Sequence, residues 1–489
     1  MAVESEIKLA IPVRAARQLA MHPLLVGRQA QTCRLLNAYF DTPEGALAAT
    51  GLALRFRRKH GKWLMTVKRD DAGGGTLTQR QEWEFPAVPG QFDFALVGCP
   101  KVRRLLCKNA AHLTEIFTTH FLRRSWLLDH GTSRIEVALD RGQIAAGESM
   151  TPICEIELEL IDGDVADLFD LAMALQAELP LRPMIASKAE RGFALSRQTE
   201  AKPFRAQSSN IRHAMSPEAA FRVLAQACLI QLQRNENAGK WREGPEFTHQ
   251  ARVALRRLRS LLKLFAPILP NEFVAEYGQR WKAFADVLGE ARNWDVLIGE
   301  TLPPILGAFA QDRQLPRCRA LALKQADCAR AAVEKMFAGG EYGKLLLDFS
   351  AALFTLEETP PLALAEFAHK RLRQQARKAR RLAHFPGNMK ADDWHQLRIE
   401  LKKLRYWLEF CAPLLPHKPL KTYLHTLNPI LQELGLLNDL ETARESVDRL
   451  FSGRSPELLQ GWLAGRQAQL LEDLPLALEN WFGQKLPRK

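Results

Sequence analysis

The sequence predicts a multidomain α+β protein: an N-terminal antiparallel β tunnel or barrel with flanking helices, then an all-α domain of two pseudo-symmetric helical bundles. Three observations predict it. Over residues 1–200, short segments alternate between ionisable and apolar residues, the period of a strand with two unlike faces. From about residue 216 the alternation stops and apolar residues recur at three and four. Within that second half, a block of sequence returns 146 residues later. At 489 residues the chain is also too long for one ordinary core.

The alternating segments are 3–9, 52–59, 63–69, 79–85, 116–128, 133–140 and 153–161. Glu4, Glu6 and Lys8 share one face of the first, with Ile7 and Leu9 opposite. Arg55 and Arg57 oppose Leu54 and Phe56, and Arg80, Glu82 and Glu84 oppose Trp83 and Phe85. Arg134, Glu136 and Asp140 oppose Ile135, Val137 and Leu139; Glu155, Glu157 and Glu159 oppose Ile156, Leu158 and Leu160. An acid–acid–base row is costly to bury without partners. It becomes sensible where the carboxylates hold a divalent cation and the lysine holds an anion attached to it, and a hard metal with phosphate is such a pair. An open sheet with its charges in water accounts for any one of these strands. It accounts less well for the set, because solvated faces usually mix in Thr, Ser and Gln. A closed barrel with a polar lumen removes edge strands, and about eight strands leave room for a small ligand. Helical patterns fit 12–25 and 164–178, and Asp71–Gly75 reads as a flexible connection.

In the second half, His249, Arg252, Arg256 and Arg259 fall at steps of three, four and three, so they line one helix face. His395, Arg398, Lys402 and Arg405 repeat the arrangement. Ala266-Pro267-Ile268-Leu269-Pro270 and Ala412-Pro413-Leu414-Leu415-Pro416 keep the same offset. A solvated basic face is the plain reading of one copy. Two copies argue for a shared task, and an anionic partner would relieve the repulsion between like charges one turn apart. Lys370, Arg371, Arg373, Arg377, Lys378, Arg380 and Arg381 add further bases. The organisation expected is a domain at 1–200, a polar linker at 201–215, and a helical domain at 216–480 with repeats at about 216–360 and 361–480.

Net charge is +13, unevenly placed: 25 Lys+Arg face 24 Asp+Glu in residues 1–200, and 43 face 31 in 201–489. The second half is therefore an anion-attracting body. Hydrophobic content of 47% and charged content of 25% are those of a folded soluble protein. No apolar run is long enough to cross a bilayer. Charged residues stand where a signal peptide would need its apolar core, so a cytoplasmic location is expected. The eight cysteines are scattered without a C-x-x-C pair, which leaves structural zinc and a disulfide framework unsupported.

Glu4-Ser5-Glu6-Ile7-Lys8 is the E-x-E-x-K signature of the CYTH family, the triphosphate tunnel metalloenzymes, and this half of the chain resembles that family. Tyr39-Phe40-Asp41-Thr42-Pro43, Leu54-Arg55-Phe56-Arg57, Thr66-Val67-Lys68, Glu82-Trp83-Glu84, Ala138-Leu139-Asp140, Glu155 to Glu159 and Ser187 to Gly192 agree in order. The resemblance implies an eight-stranded antiparallel tunnel that binds a linear triphosphate with Mg²⁺ or Mn²⁺. It assigns Glu4, Glu6, Glu155 and Glu157 to metal, with Asp140, Glu84 and Glu159 as further candidates. It assigns Lys8, Arg55, Arg57, Lys68, Arg123, Lys188 and Arg191 to phosphate, Arg123 being preferred to Arg124 because it shares a face with Thr119 and Phe121. Lys8, Lys68 and Glu6 are the catalytic candidates. The His-x-x-Arg-x-x-x-Arg/Lys repeat, with Leu288-Gly289-Glu290-Ala291-Arg292-Asn293-Trp294-Asp295 and Leu434 to Asp439, resembles the CHAD family. That resemblance implies polyphosphate binding through His249, Arg252, Arg256, Arg259, His395, Arg398, Lys402 and Arg405. The function expected is an inorganic triphosphatase acting on tripolyphosphate beside a polyphosphate-binding domain, with association to polyphosphate granules left open. Thiamine triphosphate or ATP as substrate, and a non-catalytic scaffold, remain alternatives. Nucleic acid is disfavoured, because aromatics interleaved with the bases are sparse.

Overall fold

The computed structural model describes residues 3–70, 75–198, 200–239, 241, 243–358, 362–383 and 389–487. The strands are β1 (Val3–Ala10), β2 (Gln31–Asp41), β3 (Leu52–Lys59), β4 (Lys62–Asp70), β5 (Leu77–Pro86), β6 (Thr114–His130), β7 (Ser133–Ala146), β8 (Ser149–Asp162) and β9 (Arg182–Pro183). The helices of the first half are α1 (Pro100–Asn109), α2 (Val165–Glu178) and α3 (Lys188–Arg197). Then follow α4 (Pro217–Asn237), α5 (Pro245–Phe265), α6 (Asn271–Val296), α7 (Leu302–Ala308), α8 (Gln314–Ala338), α9 (Gly340–Phe354), α10 (Leu364–Leu382), α11 (Ala391–Phe410), α12 (His417–Leu450) and α13 (Glu457–Phe482). The chain forms two compact units: Met1–Lys202 with Ala338–Leu356, and Pro203–Phe337 with Glu357–Lys489.

In the first unit, eight strands among the described residues close an antiparallel barrel in the order β1-β5-β4-β3-β2-β6-β7-β8, and β8 pairs back to β1. Closure leaves β9 to add two residues beside Leu9 and Ala10. All seven alternating segments lie in these strands. The eighth strand, β2, has no clean alternation in Gln31-Thr32-Cys33-Arg34-Leu35-Leu36-Asn37, so period two does not reveal it. The helix expected over 12–25 is instead two short 3₁₀ turns, Ala15–Arg17 and Leu19–Met21. Pro23 disfavours the α region for the residue before it, and His22 is extended with ψ 137°. The connection expected at 71–75 lies, but for Gly75, outside the described residues.

The barrel is apolar outside and charged inside. Ile7, Leu9, Val137, Leu139, Ile156 and Leu158 pack outward with Leu168, Phe169, Leu171 and Leu175 of α2. Leu54, Phe56, Met65, Val67, Trp83 and Phe85 pack with Val102 and Leu106 of α1. Helix α9 belongs to this same unit: Leu347 joins the α2 cluster, Phe354 lies 5.4 Å from Phe169, and Ser350 donates a buried 2.9 Å hydrogen bond to Thr76.

One end of the lumen is filled. Leu35, Tyr39, Phe117, Phe121, Ile144 and Ile153 cluster there with Phe193 of α3. Helix α3 starts with a capping box, in which the Ser187 hydroxyl accepts from the Glu190 N–H and the Glu190 carboxylate accepts from the Ser187 N–H. Gly192 lies so close to the barrel that a Cβ there would stand 2.1 Å from the Phe117 ring.

The second unit repeats itself in space. Helices α5 and α11 begin 146 residues apart, as do α6 and α12, and α4 and α10 precede them in register. Equivalent helices touch each other, α5 with α11, α6 with α12 and α4 with α10, as a two-fold axis requires. Residues 203–215 contain no helix or strand but are fastened to this unit. Asn235 bonds both the N–H and the carbonyl of Phe204, and the Ser209 hydroxyl donates to the Phe410 carbonyl.

Candidate active site

Because β1 alternates, Glu4, Glu6 and Lys8 enter the lumen together while Ile7 and Leu9 leave it. The same parity brings in Arg55 and Arg57 from β3, Lys68 from β4, Glu84 from β5, Arg123 from β6, and Glu157 and Glu159 from β8. Lys188 enters from α3. These side chains surround a cavity of about 550 Å³. Arg124 turns outward and lies over the Trp126 ring. The lining also includes Tyr39, Arg80, Glu82 and Glu136. Arg80, Glu82 and Glu136 stand on ionisable faces visible in the sequence, although the family motifs assign them no role; Tyr39 sits in the unpatterned β2.

At one end the carboxylates converge. Asp140, Glu155 and Glu157 come from neighbouring strands in register, Asp140 opposite Glu155, and one oxygen of each lies within 4.8 Å of the others. The Lys188 ammonium sits among them, 2.6 Å from Asp140, 2.5 Å from Glu155 and 2.9 Å from Glu157. Arg123 grips Asp140 with two bonds of 2.7 Å and also meets Glu157. Arg191, one helical turn after Lys188, pairs with Glu155. Burial alone would raise the Glu157 pKa, but Lys188, Arg123 and Lys8 hold it well below the usual carboxylate range. Burial would lower Lys188, yet Asp140 and Glu155 raise it above an ordinary lysine.

The other expected acids lie apart from this trio. Glu4 accepts from Lys68 at 2.7 Å. Glu6 meets Lys8 and, at 3.3 Å, Arg80. Glu84 accepts from Thr66 at 2.8 Å and faces Arg57 at 3.5 Å. Burial pushes the Glu159 carboxyl up to about 7, with Glu4, Glu136 and Glu6 adding to the rise. Burial opposes the charge of Lys68 too, but Glu4 and Glu82 hold its pKa above normal. Arg57 is pushed down to about 10 by burial and by neighbouring Arg55.

Three converging carboxylates, two buried and one half-buried, suit a hard divalent cation. The fit is visible in Lys188, whose ammonium already takes a position where all three carboxylates meet a positive charge.

In the helical unit, the two-fold brings Arg252 and Arg256 of α5 against their equivalents Arg398 and Lys402 of α11. Together with His249 and Arg292 they line a pocket of about 100 Å³ whose one carboxylate among the described residues is Asp439. Burial and then Arg256 and Arg398 push Lys402 down to about 6. Burial and Arg256 push Arg252 down to about 10, and burial and Arg292 take His249 down to about 4. The remaining three expected residues do not line this pocket, although Arg405 lines an adjoining cavity of about 910 Å³ with His249, Arg256 and Lys402. His395 contacts Asn438 at 3.1 Å in a separate cavity with Trp394. Arg405 pairs with Glu409 at 2.9 Å. Arg259 lies near Lys263, whose pKa falls through burial, Lys403 and Arg259. Arg292 was legible only as a member of the Leu288 to Asp295 block.

The fold and site thus define a barrel with an ion-lined lumen joined to a pseudo-symmetric basic helical unit. Residues 2–193 match the CYTH domain and residues 223–448 match the CHAD domain, so the chain is a CYTH domain followed by a CHAD domain. Among similar proteins is an inorganic triphosphatase of Haemophilus influenzae, 35% identical over 198 residues, which are 39% of this chain and 54% of that protein. The chain thus spans about half the length of that relative. The crystal structure of the CHAD domain from the plant Ricinus communis is 28% identical, with a TM-score of 0.50, covering 59% of this chain and 99% of that one. A putative adenylyl cyclase of Hippeastrum, described as having a dominant triphosphatase activity, is 21% identical over 40% of this chain and 95% of its own, at a TM-score of 0.31.

Proposed function

We propose that the chain is a metal-dependent inorganic triphosphatase that hydrolyses tripolyphosphate in the barrel, and that its helical unit binds inorganic polyphosphate. One observation carries the reading: eight cations line one lumen of about 550 Å³, and a carboxylate trio reaches it through Glu157. Lys8, Arg55, Arg57, Lys68, Arg123 and Lys188 hold the oxygens of a linear phosphate chain, the arginines by their forked donors. Lys68 remains an ammonium beside Glu4 and Glu82, so it stabilises charge on the transferred group rather than taking a proton. Asp140, Glu155 and Glu157 would hold Mg²⁺ or Mn²⁺, which would supply polarisation of a phosphoryl oxygen. Lys188 and Arg123 touch these carboxylates and also line the lumen, so they would face the phosphates beside a bound cation. Water adds to the terminal phosphorus, the bridging P–O bond breaks, and phosphate and pyrophosphate leave.

An inorganic substrate is favoured over a nucleotide or thiamine ester because the aromatic rings of the lining are already engaged. Tyr39 stacks on Phe117 at 4.4 Å, and Phe121 lies under Lys188 and Arg123. The named activity of the Haemophilus influenzae relative supports the same class of reaction. In the helical unit, five cations around one carboxylate among the described residues make a site that an anionic chain would neutralise. The test is phosphate release from tripolyphosphate by wild type, Glu6→Ala and Lys8→Ala, with and without a chelator. Each variant is expected to lose at least roughly 100-fold in kcat/KM, and the chelator to abolish release. Full activity in both variants removes the tunnel assignment.

A further inference from the structure

We propose a second phosphate-binding site on the outside of the barrel, a groove at the free end of β2 that holds the distal part of a linear polyphosphate chain whose terminus lies in the tunnel. The inference rests on the tunnel being a phosphate-chain site and extends it to longer substrates.

The groove follows from strand lengths. β3 pairs with β2 only from Leu36 to Phe40, whereas β6 pairs with β2 from Gln31 onward. Among the described residues, the backbone of 31–35 therefore has a strand partner on one side and an open edge on the other. Beside that edge the β3–β4 hairpin ends in His60-Gly61, both at positive φ (49° and 79°), the two-residue turn that suits a twisted hairpin. The gap is a concavity of about 400 Å³ lined by Arg34, Leu36, Arg58, His60 and His120. Arg34, Arg58, His60 and His120 are exposed.

The charge on this face is one-sided. Leu36 is flanked in register by Arg58 and His120, and in the next row Arg34 pairs with Leu122, which pairs with Arg141. The segments 31–38, 56–62, 118–126 and 137–145 contain one carboxylate, Asp140, and it is fully buried against Arg123 and Lys188. Among the described residues, Arg34, Arg58 and Arg141 form no ion pair. Arginines without counter-ions beside unpaired backbone N–H groups suit phosphate oxygens.

Continuity with the tunnel selects the occupant. Lys59 lines the lumen, while its chain neighbours, Arg58 on β3 and His60 in the turn, line the groove. A chain leaving the lumen past Lys59 meets the groove across the end of one strand. Among the described residues no Phe, Tyr or Trp lines the groove, so it lacks the stacking surface that single-stranded nucleic acid uses.

The full-length chain tests this by amide hydrogen exchange and by kinetics. Long-chain polyphosphate is expected to slow exchange in residues 31–36, and tripolyphosphate, too short to reach, to leave it unchanged. The double variant Arg34→Glu/Arg58→Glu should lose that protection. Its kcat/KM for long-chain polyphosphate should fall roughly tenfold, more at low salt, while that for tripolyphosphate stays at the wild-type value. Exchange at 31–36 that ignores long-chain polyphosphate, equal losses on both substrates, or equal protection by single-stranded RNA overturns the groove. The exchange arm needs no turnover, so it judges the groove even if wild type fails to hydrolyse tripolyphosphate, a result that would instead overturn the proposed activity.

Discussion

Lys402 shows what a single residue costs and what it signals. Its ammonium is largely removed from water and faces Arg256, Arg398 and Arg252, with Asp439 as counter-charge, so its pKa falls to about 6. Between that value and 10.5, the ordinary value for lysine, the unfolded chain binds a proton that the folded chain does not. Stability therefore rises with pH across this window, and the penalty is full below it. Lys402→Met is expected to raise stability at pH 8 by roughly 1–3 kcal/mol in the absence of polyanion, measured by denaturant unfolding. A polyanion in the pocket would restore the charged form. Titration of polyphosphate at pH 8 in buffers of different ionisation enthalpy should then reveal uptake of about one proton per site, and Lys402→Met should abolish it. Binding without proton uptake in wild type would count against this pocket as the polyanion site. In the barrel, Asp140→Asn should keep the fold but lose metal-dependent turnover, read as phosphate release across a Mg²⁺ titration, with a loss of about 100-fold or more.

At the scale of elements, α3 decides the closed end of the lumen. Its capping box sets where the helix starts and so places Lys188 and Arg191 one turn apart, facing Glu155. Ser187→Ala removes one half of that box and is expected to lower stability by about 1 kcal/mol. Activity should fall further than that loss of stability explains, because the ammonium among the carboxylates is displaced. Gly192→Val presses side-chain atoms into Phe117 and should cost about 1–3 kcal/mol, seen as a lower thermal midpoint. A variant as stable as wild type would mean that α3 is free to shift away from the barrel.

At the scale of the whole molecule, the first compact unit draws on two separate stretches of sequence. Residues 338–356 contribute Leu347 and Phe354 to packing against α2, and Ser350 to a buried bond with Thr76. A fragment ending at residue 202 therefore lacks part of its own covering. It should bind a hydrophobic dye more strongly and unfold at a lower temperature than the barrel does within the intact chain. Adding a peptide of residues 338–356 should recover part of the difference; no difference between fragment and intact chain would make α9 dispensable to the barrel.

The sequence by itself determined which residues share a face. Period two placed Glu4, Glu6 and Lys8 together, and Arg55 with Arg57, because successive side chains on a strand must point to opposite sides. The 146-residue repeat likewise determined that α5 and α11 are equivalent helices. The tertiary structure decided which faces meet. Asp140, Glu155, Glu157 and Lys188 come together through barrel register and the docking of α3, and neither leaves a local pattern. The same holds for β2, whose strand character comes from its partners β3 and β6 rather than from alternation. Among eight basic and histidine positions that local helical periodicity makes alike, only the packing of α5 against α11 brings His249, Arg252, Arg256, Arg398 and Lys402 around one pocket and leaves Arg259, His395 and Arg405 outside it. Backbone periodicity is written residue by residue, whereas convergence depends on long-range register and on which helix faces pack, and these exist only once the chain has closed on itself.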